Sequence, residues 1–74
     1  ISSEEAEKKE LLVIMQQHIE RLPERYQNIL RMYYFKNMRL SEIAEIYKVS
    51  EARICQIHTQ AVKRLRGAMQ AIAA

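Results

Sequence analysis

Residues 40–66 read LSEIAEIYKVSEARICQIHTQAVKRLR, and their spacing decides the fold. Two amphipathic runs are separated by a short interruption, Lys48-Val49-Ser50. In the first run Ile43, Ala44, Ile46 and Tyr47 recur at i, i+3, i+4 spacing, the mark of one helical face. Ala44 has little bulk, so a second backbone can cross close to it. In the second run, at about 100° per residue, Ile54, Ile57, Ala61 and Leu65 share a face that His58 borders. With Ala44 at the crossing, Ile43, Tyr47, Val49, Ile54 and Ile57 are predicted to supply the buried contacts. Ser41 is expected to cap the first helix and Ser50 the second, because a serine hydroxyl accepts from an orphan N–H of the opening turn. This is the pattern of a helix-turn-helix. Its one misfit is Lys48, which stands where glycine is common; a left-handed lysine costs about 1 kcal/mol.

The outer face of the second helix carries Ala52, Gln56, Thr59 and Lys63. Arg53, Gln60 and Arg64 flank it on one side, Cys55 and Arg66 on the other. Such a face suits a DNA major groove. Glutamine can bond adenine at N6 and N7, alanine and the threonine methyl can touch a thymine methyl, and arginine can reach guanine or a phosphate. Lys63 lies further along, where a phosphate contact positions rather than specifies. A plainly solvated face is the alternative, and the preceding helix, tight turn and Ala44 crossing weigh against it.

The chain has 74 residues, enough for one domain, 1–74, with a small core. Strand-type alternation and hairpin signals are missing, so the expected class is all-α. Charge is uneven. Residues 1–20 hold two lysines against five glutamates, whereas residues 21–74 hold ten basic and four acidic side chains. The positive excess on the motif half favours a polyanionic partner there. A lone cysteine cannot form an internal disulfide, which fits a reducing, cytoplasmic compartment. No apolar run has transmembrane length, and no signal-peptide layout is visible.

Upstream, residues 4–22 are predicted to form an amphipathic helix with Leu11, Leu12, Met15, Ile19 and Leu22 as its stripe. Glutamates at its start suit the positive end of the helix dipole. Pro23 breaks the chain and opens a second helix over 23–36, with Tyr26, Ile29, Leu30, Tyr33 and Tyr34 as its apolar side. Residues 36–39 read as a loop, and Gly67 as a helix-ending residue before an Ala-rich, fraying end. The expected sum is four helices, the last two forming the DNA-reading unit at about 40–66. The Tyr33-Tyr34-Phe35 cluster is core with a partly exposed edge, or a partner surface.

Cys55 and His58 sit one helical turn apart, but no orienting third group or oxyanion site accompanies them, so catalysis is not expected. Zinc-type ligand spacing is absent, and neither metal nor cofactor is expected. His18 is read as a helix-surface or core-edge residue, and His58 as bordering the core.

The order of these signals resembles region 4 of bacterial sigma-70-family sigma factors. Leu22-Pro23-Glu24-Arg25 looks like the family's LPER start, and Leu40-Ser41-Glu42-Ile43-Ala44 like its EIA helix. Val49-Ser50-Glu51-Ala52-Arg53-Ile54-Cys55-Gln56-Ile57 resembles its VSxxRVxQI recognition helix, and Ala61-Val62-Lys63-Arg64-Leu65-Arg66 its AxxKLR ending. Together these cover residues 15–67. Gln56-Ile57-His58-Thr59-Gln60-Ala61, with Tyr33-Tyr34 upstream, is most similar to the flagellar and motility subgroup. The resemblance implies binding to the −35 promoter element within RNA polymerase holoenzyme, docking on the flap of the polymerase β subunit, and competition from an anti-sigma factor. It carries DNA contact onto Arg53, Gln56, Thr59, Gln60 and Lys63, with Ser50, Glu51, Ala52 and Cys55 on the same stretch. The implied partner surface comprises Ile29, Leu30, Tyr33, Tyr34 and Met38. Principal sigma factors have arginine at the positions of Glu51 and Cys55, so a different −35 preference is expected. Glu51 would repel a phosphate or accept from cytosine N4. Other readings are a helix-turn-helix output domain of another regulator, or a helical protein-interaction module.

Overall fold

The computed structural model describes residues 3–73, with side chains described for residues 5–70. It contains α1 (Ser3–Ile19), α2 (Glu24–Tyr34), α3 (Leu40–Tyr47) and α4 (Glu51–Ala73), and no strand among the described residues. Helix α4 packs against each of the other three. The all-α class and the four-helix order expected from periodicity are those observed.

Two apolar clusters hold the helices together. One joins Ile19, Tyr26, Leu30, Ala61 and Leu65, linking α1, α2 and α4. The other joins Ile29, Ile43, Ala44 and Ile54, linking α2, α3 and α4. Ile57 packs against both, so the inner face of α4 is the seam between them.

Helices α1, α2 and α3 end for local reasons. Helix α1 stops at Ile19, short of the expected residue 22. Leu22 precedes Pro23, and the proline ring disfavours helical backbone in the residue before it. Arg21 N–H and Leu22 N–H close tighter bonds onto the carbonyls of His18 and Ile19, at 3.1 and 3.0 Å. The Gln27 amide then reaches back and donates to the carbonyls of Glu20 and Leu22, at 3.1 and 2.7 Å. Pro23 precedes α2 as its cap, and its carbonyl accepts from Tyr26 and Gln27 N–H. Helix α2 ends at Tyr34, and Asn37 in the following loop takes a left-handed φ of 54°. Asparagine tolerates that region better than most residues.

Between α3 and α4, Lys48 is left-handed at φ 57°, ψ 43°, as the motif requires. Lys48 N–H bonds the Glu45 carbonyl at 3.2 Å and Val49 N–H bonds that of Ala44 at 3.1 Å. These two bonds form a Schellman turn, which satisfies carbonyls the helix end would otherwise leave open. The left-handed lysine is therefore held by a complete hydrogen-bonded cap.

Expectations at six positions are corrected. Tyr47 and Val49 are 38% and 41% exposed rather than buried. Helix α3 has only eight residues, and Ile43 and Ala44 alone centre its inner face; Tyr47 ends the helix and Val49 lies in the turn. Ile46 and Leu11 are likewise exposed. Ser41 does not cap α3, because Arg39 holds the cap position and its N–H bonds the Glu42 carboxylate at 3.1 Å. Gly67 does not end α4, which runs on to Ala73.

A Cβ built on Gly67 would meet nothing within 4 Å. A glycine inside a helix costs roughly 0.5–1 kcal/mol against alanine through chain entropy. Gly67→Ala should therefore raise stability by about that amount, read from urea unfolding. An unchanged midpoint would show that the last turns of α4 do not contribute to the folded unit, and a lower one that the added methyl is not accommodated there.

Candidate nucleic-acid interface

Ser50 sets the start of the recognition helix. Its Oγ accepts from Arg53 N–H at 3.1 Å, the expected cap. Burial of Ile54, Ala61 and Leu65 then fixes the rotation of α4. Ser50, Glu51, Ala52, Arg53, Cys55, Gln56, Thr59, Gln60 and Lys63 are all exposed. Cys55, Gln56, Thr59 and Gln60 line one shallow depression of about 350 Å³. The fold thus brings the expected recognition residues onto one open surface.

Several of these side chains already spend part of their hydrogen-bonding capacity within the protein. Thr59 Oγ donates to the Cys55 carbonyl at 2.8 Å, leaving its methyl and oxygen lone pairs to the outside. Arg53 lies near Gln56 Oε1 at 3.4 Å, a long contact within one turn. Tyr26 Oη donates to Gln60 Oε1 at 3.2 Å, and Arg25 Nη2 donates to Tyr26 Oη at 3.0 Å. The guanidinium carbons of Arg25 and Arg64 lie 4.8 and 5.3 Å from the Tyr26 ring centre. The hydrogen bond from Arg25, with the positive charges of Arg25 and Arg64, lowers the Tyr26 pKa; desolvation opposes this and loses.

Tyr26 was legible in the sequence only as a core position. Its bond to Gln60 joins residues 34 apart, and no local pattern signals it.

His58 borders the core as expected. Its ring centre lies 4.5 Å from that of Tyr33 and 6.2 Å from that of Tyr34, and its Nε2 is buried without a hydrogen-bond partner. Desolvation lowers its pKa. His18, read as surface or core edge, is buried.

The expected partner surface needs revision. Ile29 and Leu30 are 2% and 0% exposed, held in the two cores, so neither can meet a partner in this fold. Tyr33, Tyr34 and Met38 are half-buried. Tyr33 and Met38 line a mixed groove that also includes Leu40 and Glu51. The more apolar groove, of about 520 Å³, lies elsewhere, between α1 and the end of α2. Leu12, Val13 and Phe35 line it, together with Arg31 and Lys36. Its α1 residues were missed because amphipathic periodicity marks apolar positions and cannot say which stay uncovered.

Among the described residues no helix is long and apolar enough to cross a membrane, and no group of three or more His, Cys, Asp or Glu is placed to hold a metal.

A three-residue turn joining two helices, the second exposing a polar and basic face, defines a helix-turn-helix protein. The family described as Sigma-70, region 4 matches residues 18–67, and the chain belongs to it. The chain is 50% identical over 48 residues to the RNA polymerase sigma factor FliA of Salmonella typhimurium (strain LT2), covering 65% of this chain and 20% of that protein. The Escherichia coli (strain K12) protein of the same name is 48% identical, over 65% of this chain and 20% of its own length. The RNA polymerase sigma-D factor of Bacillus subtilis (strain 168) is 29% identical over 65 residues, 88% of this chain and 26% of that protein. The chain thus spans about a fifth to a quarter of the length of these curated relatives. No solved structure gives a significant match.

The lowered His58 pKa sets a pH dependence. An unfolded histidine titrates near its ordinary value of 6.5, so the unfolded chain takes up this proton first as pH falls. The His58 contribution to stability is therefore intact above about pH 6.5, declines as pH drops toward the lowered value, and then levels off. His58→Gln should flatten that decline in unfolding curves recorded between about pH 7.5 and 5. An equal decline in both proteins would place its origin in other groups.

Proposed function

We propose that this chain is the −35-reading domain of a sigma factor that directs bacterial RNA polymerase to flagellar and motility promoters. One observation carries the reading: α4 buries Ile54, Ala61 and Leu65 while exposing Arg53, Gln56, Thr59, Gln60 and Lys63 from the second helix of a helix-turn-helix. Family membership and likeness to proteins named FliA support the choice of class and subgroup.

The domain acts by binding, in the bacterial cytoplasm, without catalysis, metal or cofactor. Helix α4 enters the major groove by its N-terminal half. Gln56 and Arg53 meet base edges, the Thr59 methyl offers a contact for a thymine methyl, and Lys63 meets a phosphate. Glu51 and Cys55 stand where principal sigma factors have arginine, so guanine contacts available to those proteins are lost here.

Docking on the polymerase β flap falls to the apolar groove of Leu12, Val13 and Phe35, where exposed apolar area supplies the driving force. An anti-sigma factor covering that groove would compete with the polymerase. This replaces the buried Ile29 and Leu30 as the partner surface.

The test is an NMR titration of the isotope-labelled chain with a motility-type −35 duplex and a scrambled duplex at low salt. Shifts over residues 50–63, larger with the specific duplex, are expected; equal weak shifts would reduce the interaction to phosphate attraction. No shift would favour the protein-interaction reading. Gln56→Ala should cost roughly 1–3 kcal/mol at one base pair and relax selection there, as a base-by-base affinity series would record. Full retention of base preference removes Gln56 from the reading set. Lys63→Ala should weaken all duplexes alike and flatten the log–log salt dependence by about one unit. An unaltered slope means that Lys63 touches no phosphate.

A further inference from the structure

We infer that Tyr26, a core residue of α2, sets the hydrogen-bonding character of Gln60, so that Gln60 meets DNA as a donor and selects a keto base over an amino base. The inference rests on the DNA-reading role proposed above. It concerns a residue that lies outside the recognition helix and whose ring is buried.

The donor order follows from what each group can do. Arginine has no acceptor, so the 3.0 Å contact between Arg25 Nη2 and Tyr26 Oη is a bond that Arg25 donates. The tyrosine hydroxyl keeps one hydrogen, and Gln60 Oε1 lies 3.2 Å from the same oxygen. The chain therefore runs Arg25 to Tyr26 to Gln60. With the amide reversed, Arg25 and Gln60 would both donate to one oxygen, and the hydroxyl hydrogen would lose its acceptor. A guanidinium bonded to the hydroxyl polarises it and strengthens its donation onward.

This order turns the Gln60 carbonyl toward α2. A free glutamine pairs with adenine by accepting from N6 and donating to N7, with its oxygen and nitrogen side by side at the base edge. The oxygen of Gln60 retains a second lone pair, but its place against Tyr26 removes it from that edge. What Gln60 offers is its NH2 group. The matching groups in the major groove are guanine O6 and N7 and thymine O4; adenine offers N7 alone, beside its opposing N6 donor, and cytosine N4 is a donor that opposes it. Tyr26 is thus a positioning residue, acting on the base through Gln60.

The test varies each −35 base pair in turn and measures affinity for the full chain, alone and assembled with RNA polymerase core enzyme. Gln60→Ala locates the base pair that Gln60 meets. There the unmodified chain should favour guanine or thymine on the contacted strand. Tyr26→Phe keeps the ring and removes the hydroxyl, so the amide can turn. The keto-over-amino preference should then fall about five- to tenfold at that base pair and stay unchanged elsewhere. Gln60→Glu, at an exposed position, has no N–H to offer and should invert the preference to an amino base.

A folded Tyr26→Phe chain with undiminished preference overturns the inference, as does an unmodified chain that favours an amino base there. A Gln60→Glu chain that still favours the keto base does the same, and decides the matter if Tyr26→Phe fails to fold. If Gln60→Ala changes no position while other base pairs are still read, the inference falls alone. If the unmodified chain reads no base pair, the DNA-reading role falls with it.

Discussion

Burial of Ile54 against Ile29, Ile43 and Ala44 is the contact on which the arrangement depends. It joins three helices at once, and in so doing fixes how α4 is rotated about its own axis. A fully buried isoleucine is worth roughly 2–5 kcal/mol against alanine, a large share of the roughly 5–15 kcal/mol that holds a domain together. Once Ile54 points inward, the helical period of 3.6 residues sends Ala52, Gln56, Thr59 and Lys63 outward together. Ile57 then continues the seam into the second cluster, where Ala61 and Leu65 meet Ile19, Tyr26 and Leu30. The candidate reading face is therefore the complement of the core.

That rotation would mean little if the angle between α3 and α4 could drift. The turn at Lys48 prevents it. Its left-handed backbone is held by two bonds to the carbonyls of Ala44 and Glu45, and the small side chain of Ala44 lies buried beside Ile54. The strain of a lysine at positive φ, about 1 kcal/mol, is set against burial on both sides of the turn. Substituting glycine is not the only way to make such a turn, which is why the motif survives its one departure from pattern.

The fold was legible because helical periodicity is local. Ile43, Ala44, Ile54, Ile57, Ala61 and Leu65 announce one interface through spacing alone, and Ser50 announces its helix start. Depth was harder to read. Periodicity gives the direction of a side chain, and whether Tyr47, Val49 or Leu11 is covered depends on where the neighbouring helices stop. Helix ends depend on small competitions, such as Arg39 and Glu42 capping in place of Ser41, or Gly67 being carried through by the helix on either side. For the candidate site, the exposed recognition residues followed from phase, whereas the partner surface did not. Ile29 and Leu30 looked available in a list of apolar residues and are consumed by the two cores.

The least legible feature is also the one on which the proposed base preference rests. A list of side chains on a recognition helix treats each as though all its donors and acceptors were free. Here Thr59 has given its hydroxyl hydrogen to the backbone, and Gln60 has its carbonyl engaged by a buried tyrosine. A base approaching this surface meets what remains after those internal bonds are made. On the proposed role of Gln60, two family members with the same recognition helix would read different sequences where the residue at the position of Tyr26 differs. The candidate reading surface thus extends, in its chemistry, one layer below its exposed residues.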